Sequence, residues 1–190
     1  MRLSRTLGVM DEDFLKLDNQ ICFSLHAASR AFNGVYRGAL KELGLTYPQY
    51  LVMLVLWEHG ELPVKGIGER LRLDSGTLSP LLKRLEAAGY VERRRSAEDE
   101  RSVTVRVTAE GAALREKALG VPRGIAAATG LDLAEIQELR DRIHALAARL
   151  DAVDPDDVAR CVGADLDVAG GADAEAGGGA DVMTVPASDI

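Results

Sequence analysis

Apolar residues between positions 11 and 43 recur at helical spacing: Ile21, Leu25, Ala28, Phe32, Val35, Ala39 and Leu43 step by four, three, four, three, four and four. The period predicts one long amphipathic helix over 11–43 that Gly44 stops, with a bend where Gly34 and Gly38 weaken it. Thr46 and Pro48 then announce a second helix, the hydroxyl as N-cap and the proline in the first turn. Its body, Tyr50 to Trp57, is apolar almost all round, which predicts burial, and Gly60 ends it. Pro63 opens a short helix through Leu71 with Val64, Ile67 and Leu71 inward. Asp74 and Ser75 cap a further helix that ends at Gly89 and buries Leu78, Leu81, Leu82 and Leu85.

The period then changes. Val103, Val105 and Val107 alternate with Thr104 and Arg106, so Tyr90–Arg95 and Arg101–Val107 are predicted strands joined by a charged loop at Ser96–Glu100. Thr108 caps a helix that runs to Gly130 and is kinked by Pro122. Asp132 caps the last helix, where Leu133, Ile136, Leu139, Ile143, Leu146 and Leu150 keep coiled-coil-like spacing. The predicted fold is mainly α with a small β-hairpin wing: a winged helix-turn-helix plus a helical dimerisation layer. Residues 1–10 form an N-terminal extension, 11–45 and 108–152 the helical dimerisation region, 46–107 the winged helix-turn-helix, and 153–190 a disordered acidic tail rich in Gly, Ala and Asp. The terminal helices fit a monomeric bundle or a dimer interface. The expectation is a homodimer, because their stripes outnumber the partners available within one chain.

Charge sharpens this picture once it is divided. The net charge is −7, yet residues 151–190 hold ten Asp/Glu against one Arg, which leaves residues 1–150 at +2. Residues 62–107 hold ten basic and seven acidic residues. The acidity belongs to the tail and does not argue against a nucleic-acid partner. Arg2 and Arg5 precede no apolar stretch of signal-peptide length, and no run approaches the 18 apolar residues of a membrane span. The expectation is a cytoplasmic protein with no membrane association. Cys22 and Cys161 make no disulfide framework, and His26, His59 and His144 lack metal-ligand spacing, so neither metal nor cofactor is expected.

The exposed face of the helix after Asp74 carries Ser75, Gly76, Thr77, Ser79, Pro80, Lys83 and Arg84. Small hydroxyls and cations suit a helix lying in the major groove of double-stranded DNA, where they reach phosphates and base edges. Pro80 presses on the carbonyl four residues back, and that residue is Gly76. Arg93, Arg94 and Arg95 lead into the hairpin loop and Arg101 leaves it, beside Asp99. A cationic wing of this kind suits a narrow minor groove; taken alone, it also reads as an ordinary solvated hairpin.

Cys22 lies near the start of the first long helix, in the second turn if Asp18 is the cap, where the helix dipole favours the thiolate. Cys22, His26, Ser29, Asn33 and Tyr36 share one face. Cys22 and Tyr36 are nonetheless 14 residues apart, roughly 21 Å along a straight helix, and meet only if a second subunit packs antiparallel. These residues leave two readings open: a buried inert thiol, and a reactive one.

Four stretches resemble a known family: Leu17–Phe23, Leu45–Tyr50, Leu73–Arg84 and Glu98–Val103. Together they resemble the MarR-family regulators of the organic-hydroperoxide-responsive (OhrR) type, over about residues 16–150. The resemblance implies a homodimeric repressor on an inverted-repeat operator, released when an organic hydroperoxide oxidises Cys22. It also implies that Tyr36 and Tyr47 of the other subunit hydrogen-bond the thiol. His26 stands where some relatives carry another tyrosine. Residues 108–150 lack the resolving cysteine of two-Cys members, so the expected fate of oxidised Cys22 is capping by a low-molecular-weight thiol, with a disulfide to Cys161 of the tail as the alternative. The chain is therefore expected not to be an enzyme. The alternatives are a repressor released by a small aromatic ligand, with Cys22 incidental, and a thiol peroxidase.

Overall fold

The computed structural model describes residues 13–95 and 102–160. Its helices are α1 (Ile21–Ala39), α2 (Tyr47–His59), α3 (Val64–Leu71), α4 (Ser75–Ala87), α5 (Ala109–Ala118), α6 (Val121–Thr129) and α7 (Leu133–Asp151), with strands β1 (Glu61–Pro63), β2 (Val91–Arg95) and β3 (Val103–Val107). The described residues divide into two compact units, one up to Leu133 and one from Ala134 on. None of the described helices is long and apolar enough to cross a membrane.

The first unit is built around α2. Because α2 is apolar almost all round, most of it sits inside: Tyr50, Val52, Met53 and Leu56 are buried, among Ile67 of α3, Leu78, Leu82 and Leu85 of α4 and Val105 of β3, while Leu54 is exposed. The predicted start of α2 is present. The Thr46 backbone N–H and hydroxyl both donate to Gln49 Oε1, at 2.8 and 2.9 Å, with Pro48 in the first turn. Gly44 supplies the left-handed residue (φ +64°) that turns the chain out of the preceding 3-10 turn, Lys41–Leu43.

The sheet is antiparallel, in the order β1-β3-β2. Val105 in the central strand is fully buried and faces Leu62 on one side and Arg93 on the other. Strand β1 lies outside the sequence expectation. Three residues ending in a proline give no alternation to read, and their pairing is decided by β3, more than forty positions away.

Two predicted helices are divided. The expected helix over 11–43 breaks at Gln20, whose backbone is extended (φ −84°, ψ 111°), so a 3-10 turn Leu17–Asn19 precedes α1. Gln20, not Asp18, is the cap, and Cys22 therefore stands in the first turn of α1 rather than the second. The helix runs without interruption through Gly34 and Gly38. The expected helix from Thr108 to Gly130 stops at Ala118 and restarts at Val121. Pro122 has no N–H for the Ala118 carbonyl, so it takes a first-turn position instead of sitting in a kink.

Helix α5 is fixed to this unit by three contacts. Trp57 Nε1 donates to the Gly111 carbonyl (2.8 Å), the Thr108 hydroxyl donates to the Gly89 carbonyl (2.6 Å), and the same hydroxyl accepts from Gly111 N–H (3.0 Å). In the second unit, α7 buries none of its residues. Leu133, Leu139, Ile143 and Leu150 are exposed, and Ile136 and Leu146 are half-buried. Residues 155–160, at the start of the segment expected to be disordered, are helical, and Asp154 Oδ1 accepts from the Asp156 N–H (2.9 Å).

Candidate functional site: a reading helix, a wing and a thiol

Helix α4 begins at Asp74, whose carboxylate accepts from the backbone N–H of Thr77 and from its hydroxyl, both at 2.8 Å. Those bonds hold the Asp74 carboxyl below the usual carboxylate range. Leu78, Leu81, Leu82 and Leu85 are all buried, as their spacing predicts. The opposite face presents Ser75, Gly76, Pro80, Lys83 and Arg84 to solvent.

The hydroxyls of this face are unequal. Thr77 gives its proton to Asp74, and Ser79 gives its proton to the Ser75 carbonyl at 2.7 Å. A phosphate oxygen only accepts, so Thr77 and Ser79 have no free proton for it while these bonds last. The open donors of the face are Ser75, Lys83 and Arg84, and neither cation has a hydrogen-bond or ion-pair partner among the described residues.

The wing arginines also divide by role. Arg93 is not a free cation: its guanidinium and backbone N–H engage the Glu86 carboxylate at 2.5 to 3.2 Å, bracing β2 against α4. The Arg93 guanidinium in turn holds the Glu86 carboxyl below its ordinary range. No sequence signal marks Glu86 for this task. Arg94 pairs with Glu92 at 3.1 Å and stays exposed, as does Arg95. Asp99 and Arg101 lie outside the described residues. A cleft of about 820 Å³ runs between α3, the start of α4 and the hairpin, with Lys65, Arg72, Ser75, Ser79 and Arg93 on its walls.

The residues expected around the thiol are split between the two ends of α1. At its C-terminal end the rings of Tyr36 and Tyr47 lie 4.3 Å apart at centroid, and Tyr50 adds a third ring 6.0 Å from Tyr36. Tyr50 was not expected here; its position three residues after Tyr47 on α2 was the available signal. Burial, and the neighbouring Tyr47 and Tyr50, push the Tyr36 phenol up to about 12, and burial raises Tyr47 and Tyr50 as well. The hydroxyls of Tyr36 and Tyr47 find no hydrogen-bond partner among the described residues. Cys22 is exposed at the other end of the helix. Between them α1 exposes Leu25, Phe32 and Val35 on the face that Ile21 begins, with Phe23 exposed on the opposite face, and none of its residues is buried.

The tyrosine cluster has a measurable signature. Its folded-state pKa values exceed the ordinary 10.0, so the stabilising effect of the neutral phenols is complete below pH 10 and is lost as pH rises towards 12. In an alkaline absorbance titration, three phenolates are expected to appear above pH 10, Tyr36 last, together with a loss of helical circular dichroism. A Tyr36 phenolate that forms at the ordinary value in the folded protein would contradict the cluster.

A reading helix braced against a cationic hairpin defines a winged-helix regulator, and comparison with known proteins agrees. Residues 35–117 match the family model "Transcriptional regulator SarA/Rot". The organic hydroperoxide resistance transcriptional regulator of Bacillus subtilis (strain 168) is 46% identical over 138 residues, covering 73% of this chain and 94% of that protein. The HTH-type transcriptional regulator TtmR of Methylorubrum extorquens (strain PA1) is 48% identical over 143 residues, 72% of this chain and 73% of that protein. Among solved structures, reduced AbfR bound to DNA, a protein of Staphylococcus epidermidis, is 36% identical with a TM-score of 0.62, covering 74% of this chain and 98% of the other. The chain belongs to the MarR/SarA-type winged-helix transcriptional regulators.

Proposed function

We propose that this chain is a homodimeric, redox-responsive repressor that holds an inverted-repeat operator while reduced and releases it when an organic hydroperoxide oxidises Cys22. The observation that carries the reading is the split site: Tyr36 and Tyr47 stacked at one end of α1, Cys22 at the other, and an exposed apolar stripe between them. A second copy of α1 packed antiparallel on that stripe buries it and brings each thiol to the partner's tyrosine pair. A phenol donating to the sulfur favours the thiolate, which is the form that attacks peroxide. The names of the relatives support the same reading, since one is a hydroperoxide resistance regulator and another was solved reduced on DNA. They also weigh against the thiol-peroxidase alternative.

Each subunit lays α4 in a major groove, so the half-sites lie about one helical turn, roughly 34 Å, apart. Lys83 and Arg84 supply phosphate contacts, with Arg94, Arg95 and Arg101 as the wing's share and Ser75 as a neutral donor. Replacing Lys83 and Arg84 by Ala is expected to lower the slope of log affinity against log salt by about 1 per cation, and affinity about tenfold each at 0.1 M salt. Fluorescence anisotropy across a salt series checks this, and an unchanged slope removes both residues from the interface.

The decisive experiment is a gel shift on the DNA upstream of the protein's own reading frame, with and without cumene hydroperoxide. The wild type is expected to release the fragment on oxidation and the Cys22→Ser protein to retain it. Release by the mutant would sink the sensor assignment and favour the small-ligand alternative. The sulfenic acid formed at Cys22 is capped by a low-molecular-weight thiol, which intact-mass analysis reads as an adduct on Cys22.

A further inference from the structure

His26 follows Cys22 by one turn of α1, and the Cβ atoms of such a pair lie about 5–6 Å apart on one face. Both side chains are exposed, and neither makes a hydrogen bond or ion pair among the described residues. Other polar side chains of the helix are engaged: Ser24 Oγ donates to the Gln20 carbonyl (3.3 Å) and Asn33 Nδ2 to the Ser29 carbonyl (2.9 Å). The thiol and the imidazole are thus left facing the same solvent volume, one able to attack and the other able to hold a proton.

Breaking a peroxide O–O bond makes a demand that the tyrosine pair does not meet. The phenols stand at the sulfur in the proposed dimer, while negative charge develops on the departing oxygen. An alkoxide is a strong base and leaves slowly unless it is protonated as it forms. On the reading of Cys22 as the sensor, we propose that His26 is the general acid of that step. The Cys22 thiolate attacks the terminal oxygen of ROOH, an S–O bond forms and the O–O bond breaks. The electron pair goes to the RO oxygen, which takes the Nε2 or Nδ1 proton of the His26 imidazolium. The products are the Cys22 sulfenic acid, the alcohol ROH and a neutral imidazole, so sulfur is oxidised, the peroxide is reduced and the protons balance.

The charged and titratable groups around this position are few. Arg30 lies one turn beyond His26 on α1, and Asp18 precedes it in the 3-10 turn. The other elements packed on α1 carry Arg123 (α6), Tyr47, Tyr50, Glu58 and His59 (α2), and Lys41 and Glu42 (the turn after α1). The described structure pairs none of these groups with His26.

The test is the pH dependence of Cys22 oxidation in the full-length protein, followed by trapping the sulfenic acid with dimedone after pulses of cumene hydroperoxide. The wild-type rate is expected to be bell-shaped, rising as the thiolate forms and falling as the acid loses its proton. His26→Gln is expected to react about 100-fold more slowly on the acid side and to lose the alkaline descent. His26→Tyr keeps its proton longer, so the descent returns at about pH 10. A merely structural role moves none of these limbs. Superimposable profiles for wild type and His26→Gln would overturn the assignment while leaving Cys22 as the sensor. Absence of any Cys22 sulfenic acid in the wild type would overturn the sensor reading itself.

Discussion

In a mixed dimer pairing a Cys22→Ser subunit with a Tyr36→Phe subunit, one thiol per dimer is expected to react with hydroperoxide at the wild-type rate, although each homodimer is defective. The arithmetic follows from the split site. Cys22 and Tyr36 are 14 residues apart on an unbroken helix, roughly 21 Å, and do not meet within one chain. If the sites form across the interface, the intact thiol of the Tyr36→Phe subunit faces the intact tyrosine of the Cys22→Ser subunit. The other site lacks both. The Cys22→Ser homodimer has no thiol to oxidise. The Tyr36→Phe homodimer loses a hydrogen bond to a charged sulfur, worth about 1.5–3 kcal/mol, or about 10- to 150-fold in rate. Differently tagged subunits, co-purified and followed by dimedone trapping, give the answer. A mixed dimer no faster than the Tyr36→Phe homodimer would place the phenol and the thiol in the same chain.

Replacing Gly111 by Ala is expected to cost about 3 kcal/mol, which lowers the melting temperature by about 10 °C. A Cβ built on Gly111 would lie 2.1 Å from the Tyr90 carbonyl oxygen and 2.8 Å from Val107 Cγ2. The first obstacle is backbone at the start of the wing and cannot rotate away. Relief therefore requires α5 to move off the hairpin, which strains the bonds from Trp57 and Thr108 that hold it there. Gly120→Ala is the control: nothing lies within 4 Å of its Cβ position and its φ is −77°, so it is expected to leave stability unchanged or raise it slightly. Thermal unfolding followed by circular dichroism separates the two, and equal melting temperatures would refute the close approach.

The buried face of α4 was legible because it is a local property. Leu78, Leu81, Leu82 and Leu85 declare it by spacing alone, and the caps at Thr46, Asp74 and Thr108 declare the helix starts. The exposed cations Lys83 and Arg84 follow by subtraction. Less was legible wherever a side chain had a choice of partner. Arg93, Arg94 and Arg95 look alike in a row, yet Glu86 claims the first and Glu92 the second. Thr77 and Ser79 look like donors to DNA until Asp74 and the Ser75 carbonyl take their protons.

What the sequence determined by itself was the succession of helices and strands, the face each one buries and the family to which they belong. These depend on periodicity and on short-range capping, which each segment carries with it. The tertiary structure decided where the long periods break, at Gln20 and before Val121, and which strand completes the sheet. It decided which polar groups remain free, because hydrogen-bond partners are chosen among residues distant in sequence. It also placed Tyr36 and Tyr47 in one stack and left Cys22 exposed at the far end of their helix. Residues on one helical face share a direction but stay separated along the axis by about 1.5 Å per residue. That rise is the physical reason a thiol and a phenol at the two ends of one helix do not meet within one chain.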